Sequence, residues 1–83
     1  MPITLKLFAT LGDYLPPGSK GNQVVLEIDA TETVQQILDR HRLPPRLTHL
    51  VLVNGVFVPP GERAQRHLAP GDQLAVWPPI AGG

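Results

Sequence analysis

The dipeptide Asn54-Gly55 lies between two apolar, β-branched runs, His49-Leu50-Val51-Leu52-Val53 before it and Val56-Phe57-Val58 after it. A tight hairpin turn needs positive φ angles, which Asn and Gly tolerate best. The stretch therefore predicts two strands joined by that turn, and Asn54 and Gly55 are read as turn residues with no catalytic part. Pro59-Pro60-Gly61 closes the second strand, residues 62–69 read as irregular, and Ala69-Pro70-Gly71-Asp72 turns the chain into a last strand, Gln73-Leu74-Ala75-Val76-Trp77.

Upstream of the hairpin, Ile3, Leu5 and Leu7 alternate with Thr4, Lys6 and Phe8, the period of a strand over about 3–9 with one buried face. After a turn-rich stretch from Asp13 to Asn22, Val24, Leu26 and Ile28 alternate with Val25, Glu27 and Asp29. These two strands read as a hairpin with a long loop. Between the hairpins, Thr33-Val34-Gln35-Gln36 fits a capping box, so a helix is expected to start at Val34. Val34, Ile37 and Leu38 form its buried stripe and Pro44-Pro45 its stop. The order strand, strand, helix, strand, short strand, strand has no internal repeat. It predicts an α+β fold, a mixed sheet of about five strands with one helix packed on one face. The expected core is Ile3, Leu5, Leu7, Val24, Leu26, Ile28, Val34, Ile37, Leu38, Val51, Val53, Leu74 and Val76. The same alternation puts Phe8, Leu52, Ala75 and Trp77 on the opposite face, where no second helix is available to cover them, and this reads as a partner-binding surface.

Eighty-three residues suffice for one small domain, expected over 1–77, with 78–83 as a flexible tail. Seven Lys+Arg balance seven Asp+Glu, so nothing favours nucleic acid or an anionic membrane as a partner. No apolar run is long enough to span a bilayer, and Met1-Pro2-Ile3-Thr4-Leu5-Lys6 lacks the basic and apolar regions of a signal peptide. A cytoplasmic location is the expectation. The absence of cysteine removes disulfides, thiolate metal sites and a cysteine nucleophile. His41, His49 and His67 are widely spaced without a ligand pattern, and are read as structural rather than metal-binding. Pro16-Pro17-Gly18-Ser19-Lys20-Gly21 does not have the spacing of a phosphate-binding loop, so the chain is not expected to bind ATP, any other cofactor or a metal.

The chain ends in Trp77-Pro78-Pro79-Ile80-Ala81-Gly82-Gly83. Glycines with no side chain can enter a channel too narrow for other residues, so the α-carboxylate of Gly83 can itself be a reactant. Pro78-Pro79, with fixed φ, would serve as a semi-rigid extended spacer or simply end a strand. Ile80, Ala81, Gly82 and Gly83 are expected to be extended and mobile, having little apolar area to bury.

Leu7-Phe8-Ala9 followed by Leu11, Thr33-Val34, Val53-Asn54-Gly55, Pro70-Gly71-Asp72 and the Trp77-to-Gly83 ending together resemble the MoaD/ThiS family of sulfur carriers, which have a ubiquitin-like β-grasp fold. The likeness covers essentially the whole chain. Its Pro-Pro and Gly-Gly ending looks most like the small subunit of molybdopterin synthase. Gly12-Asp13 departs from the pattern, where the family often has Arg-Glu. The resemblance implies a non-catalytic carrier whose Gly83 carboxylate is activated by an E1-like adenylyltransferase using ATP. Sulfur then replaces the adenylate to leave a C-terminal 1-thioglycine, whose sulfur is used by a large synthase subunit or an analogous acceptor enzyme. A partner-binding role then falls on Phe8, Leu52, Ala75, Trp77, Pro78 and Pro79, and a tail role on Ile80, Ala81 and Gly82. Carriage for thiamine, cysteine or another sulfur metabolite, protein modification through isopeptide bonds, and an adaptor with an inert tail are the alternatives.

Overall fold

The computed structural model describes residues 1–79. Its strands are β1 (Pro2–Leu7), β2 (Gln23–Glu27), β3 (Leu50–Val53), β4 (Val56–Phe57) and β5 (Gln73–Trp77), with one α-helix, α1 (Val34–Arg40), between β2 and β3. They form a five-stranded sheet in the order β2-β1-β5-β3-β4. β1 and β5 run parallel at its centre, and the other neighbours are antiparallel. This is the α+β β-grasp expected from the element order.

Register follows from the period of two. Leu5 faces Val24 on one side and Leu74 on the other, and Val76 pairs with both Leu7 and Val51. The inner face thus carries Ile3, Leu5, Leu7, Val51, Val53, Leu74 and Val76, all buried, against Val34, Ile37 and Leu38 of α1. Ile28 is buried with them, whereas Val24 and Leu26, on the edge strand β2, are only partly buried against the core. An edge strand has a neighbour on one side only, which leaves its inward side chains half covered.

The capping box forms as expected. The Gln36 amide donates to Thr33 Oγ1 at 3.2 Å, and the Thr33 amide donates to Gln36 Oε1 at 2.9 Å. The next orphan amides of the helix are taken up from outside it, Val34 N–H by the Arg66 carbonyl at 2.8 Å and Gln35 N–H by the Arg63 carbonyl at 2.9 Å. The stop, however, comes before Pro44. Arg42 takes φ +59°, its amide donates to Asp39 O, and Leu43 N–H donates to Leu38 O. That is a Schellman ending made without glycine, and it tucks Leu43 into the core.

The first strand also stops short of residue 9. Ala9 has φ +53° and opens a 3-10 turn, Ala9–Tyr14, that buries Leu11 completely. The segment read as irregular after Pro59 is ordered by Arg63, which is 4% exposed. Its guanidinium donates to the carbonyls of Val58 at 3.1 Å, Thr48 at 2.7 Å and His49 at 3.3 Å. Burial lowers its pKa from the usual arginine value. Leu68 of that segment and Val58, just ahead of Pro59, complete the core.

At the far end of the sheet, Asn54 at φ +50° and Gly55 at φ +83° make the expected hairpin turn. The Asn54 side chain bridges to the next turn, donating to Asp72 Oδ1 at 2.8 Å and accepting from the Gln73 amide at 2.9 Å. Asp72 in turn accepts from the Ala69 amide at 2.8 Å.

Candidate docking face and carboxyl-terminal exit

The face of the sheet opposite α1 carries the apolar residues that the alternation put there and that the sequence suggested as a partner-binding surface. Lys6 pairs with Ala75, Ala75 with Leu52, and Leu52 with Phe57, one row running across four strands. Leu50 pairs with Trp77 in the next row. Phe8 follows β1 directly, its amide donating to Val76 O at 3.1 Å, and its ring stacks on Trp77 with centroids 4.0 Å apart and planes 6° from parallel. Phe8, Leu52, Ala75, Trp77 and Pro78 are half-buried, and Pro79 is exposed. The structure therefore brings Phe8, Leu52, Ala75 and Trp77 together, with Pro78 and Pro79 continuing from Trp77.

Two residues of this patch escaped the sequence reading. Leu50 shares a face with Leu52, two positions along the same strand. Phe57 is brought opposite Leu52 by the two-residue turn and remains 49% exposed. Alternation from Leu52 would have found Leu50, and counting outward from Asn54-Gly55 would have found Phe57, because a two-residue hairpin pairs 53 with 56 and 52 with 57. An aromatic and aliphatic cluster with this much exposure exceeds the isolated apolar residues ordinary on a surface and has the composition of an interface core.

The patch lies where the chain leaves the sheet. His49 N–H donates to the Trp77 carbonyl at 3.1 Å, after which Pro78 and Pro79 offer no amide hydrogen to the ladder. Arg63 holds the adjoining segment through the Thr48 and His49 carbonyls. Ile80, Ala81, Gly82 and Gly83, the expected tail and reactive carboxylate, lie outside the described residues.

Elsewhere the polar groups read as structural. His41 is half-buried, its Nδ1 2.9 Å from the Ile37 carbonyl, while His49 and His67 are exposed and far apart in the chain. Among the described residues no three His, Asp or Glu side chains gather as a metal site, and no helix is long and apolar enough to cross a membrane. Glu32 accepts from the Asp29 amide at 2.9 Å and pairs with Arg40. The Asp29 hydrogen bond, reinforced by Arg40 and opposed by partial desolvation, holds the Glu32 carboxyl below the usual glutamate range.

The sequence profile of the ThiS family matches residues 5–83, from the middle of β1 through the diglycine. The chain belongs to the ThiS family. Its fold is similar to the crystal structure of SAMP1 from Haloferax volcanii, at 27% identity and a TM-score of 0.69, with the whole of both chains covered. It is also similar to the solution structure of the Haloferax volcanii HVO 2177 protein, at 28% identity and a TM-score of 0.76, covering all of this chain and 87% of that one. A crystal structure of small archaeal modifier protein 1 of the same organism matches at 26% identity and a TM-score of 0.68, covering 95% of this chain and 98% of that one. No curated protein matches the chain. Family and neighbours place this ThiS-family chain among ubiquitin-like proteins of the sulfur-carrier and protein-modifier class.

Proposed function

We propose that this protein carries sulfur as a thiocarboxylate on Gly83, and that its open sheet face docks the enzymes that load and unload it. In the loading step an E1-like adenylyltransferase joins the Gly83 carboxylate to the α-phosphate of ATP and releases pyrophosphate. A sulfur nucleophile then displaces AMP. A carboxylate alone resists attack because its charge is delocalised; the adenylate supplies a leaving group and divides one difficult step into two easier ones. The thiocarboxylate sulfur is softer and more nucleophilic than the oxygen it replaces, which suits transfer to a carbon centre in an acceptor enzyme.

The observation that carries this reading is the placement of the aromatic cluster. Trp77, stacked on Phe8, is the last residue of the central strand, and the next residues are the two prolines that begin the proposed tail, 78–83, beyond the domain of 1–77. An enzyme that grips this face receives the chain end at a fixed point and in a fixed direction. Gly82 and Gly83 then pass where a side chain would block. The carrier needs no acid, base or nucleotide site of its own, since those belong to its partners. A soluble cytoplasmic pool would make it available to each of them in turn.

The finer assignment favours the dithiolene of molybdopterin, with the large subunit of molybdopterin synthase as acceptor. It rests on the Trp77-Pro78-Pro79-Ile80-Ala81-Gly82-Gly83 ending. A second reading, protein modification through an isopeptide bond from Gly83 to a target lysine, is favoured by the similarity to small archaeal modifier protein 1. Both share the adenylation step and part at the fate of the adenylate. The test is pyrophosphate exchange catalysed by the cognate E1-like enzyme. Exchange is expected with the full chain and lost on deletion of Gly83, at unchanged thermal stability. Full exchange after that deletion would end the proposal.

A further inference from the structure

Among the described residues the outer face of the sheet is nearly free of charge, and the one ion on it without an ion-pair partner is a cation. Reading outward positions strand by strand gives Pro2, Thr4 and Lys6 on β1, Gln23, Val25 and Glu27 on β2, Gln73, Ala75 and Trp77 on β5, Leu50 and Leu52 on β3, and Phe57 on β4. Glu27, at the outer edge, lies 3.2 Å from the amino terminus of Met1. Lys6 has no carboxylate within ion-pair distance among the described residues. It is half-buried, between Gln23 and Ala75 in its row and next to Phe8 along the face, at the margin of the aromatic cluster.

We infer that the enzyme surface seated on this face is an apolar socket bordered by a carboxylate that meets Lys6. The inference rests on the docking role proposed above and specifies its chemistry. A partner that covers Phe8, Trp77, Leu52 and Phe57 also takes water from the Lys6 ammonium, and an ammonium stripped of water without a counter-charge is strongly disfavoured. A carboxylate at that point removes the penalty, fixes the register of the complex and steers encounter. Among the described residues a second copy of this chain offers no free carboxylate on its own outer face, Glu27 being paired with the amino terminus and at the edge, so a second copy fits less well than a different protein. The occupant is therefore a different protein with an acidic rim beside an apolar pocket, namely the E1-like activating enzyme of the proposed cycle.

The experiment measures association of the full chain with the cognate E1-like enzyme by stopped-flow at low and high ionic strength. The parent protein is compared with Lys6→Gln, Lys6→Arg and Trp77→Ala. Parent association is expected to slow with added salt. Lys6→Gln should associate about threefold to tenfold more slowly at low salt and lose most of the salt dependence. Lys6→Arg should retain both, and Trp77→Ala should bind weakly at every salt concentration. A Lys6→Gln protein with parental rate and salt slope, alongside a defective Trp77→Ala, overturns the carboxylate while leaving the docking face intact. Parental binding by both, with circular dichroism showing folded proteins, removes the docking face itself. Concentration-dependent dimerisation of the isolated chain that Trp77→Ala abolishes would assign the face to a second copy and also overturn the inference.

Discussion

Replacing Arg63 by methionine tests how a residue far from the proposed chemistry holds the segment adjoining the exit of the tail. The side chain is 4% exposed and donates to three carbonyls, those of Val58, Thr48 and His49. Methionine fills a similar volume but donates to none of them. Each buried acceptor left without a partner costs about 1–3 kcal/mol. Part of that is offset because a guanidinium no longer has to be desolvated, and part because water can reach the Thr48 and His49 carbonyls from the shallow depression that Arg63 lines with Gln35, Arg46 and Pro60. A net loss of about 2–4 kcal/mol results. For a chain of 83 residues the whole stability is roughly 4–12 kcal/mol. With a urea m-value near the low end of the ~1–3 kcal/mol per M range, the midpoint should fall by about 1.5–3 M at constant m. Arg63→Lys keeps the charge but cannot span three carbonyls from one nitrogen, so it should fall in between. A methionine variant that unfolds within about 0.5 M of the parent would refute the reasoning, since the three hydrogen bonds would then contribute no more than surface contacts.

Other perturbations separate core, turn, electrostatics and interface. Leu5→Ala removes a fully buried side chain at the centre of the sheet and should cost about 2–4 kcal/mol in equilibrium unfolding. Asn54→Asp puts a second carboxylate against Asp72 and removes the amide donor, so thermal unfolding at neutral pH should show a loss of about 1 kcal/mol that shrinks on acidification. Because Glu32 is held below its usual range in the folded state, it contributes stability that is present above the ordinary glutamate pKa and lost as pH falls through the lowered value. Glu32→Gln should therefore lower stability near neutrality and flatten that part of the acid limb in a stability series, so that variant and parent converge at low pH. Phe8→Ala and Trp77→Ala should each weaken binding to the activating and acceptor enzymes by about 30-fold or more, the scale of an interface anchor, as titration calorimetry would read.

What the sequence made legible was periodic. Alternation in β1, β3 and β5 assigned both faces of the sheet correctly, and Thr33 with Gln36 announced the helix start by local hydrogen bonding alone. Contributions that depend on tertiary context were not readable. Arg42 adopts the left-handed conformation although nothing in its side chain favours it, so the helix ends at Arg40, ahead of the prolines that were expected to end it. Leu11, Leu43 and Leu68 are buried from turns and crossings, where there is no period to betray them. Arg63 has the composition of a surface residue and is placed inside by three carbonyls contributed from two other segments. At the candidate site, Phe8, Leu52, Ala75 and Trp77 were legible because alternation extends through them; Leu50 was available from the same alternation, and Phe57 required the hairpin register as well.

The central proposal, that Gly83 is the atom-bearing end of a sulfur carrier, is tested most directly by intact-mass analysis of the full chain. The protein is incubated with its E1-like enzyme, ATP and a sulfur donor, then fragmented to locate any change. A C-terminal fragment heavier by the difference between one sulfur and one oxygen, dependent on ATP and absent when Gly83 is deleted, is the predicted result. An unchanged C-terminal fragment with an enzyme that demonstrably forms the adenylate, or Gly83 recovered only as an amide on target lysines, would contradict it.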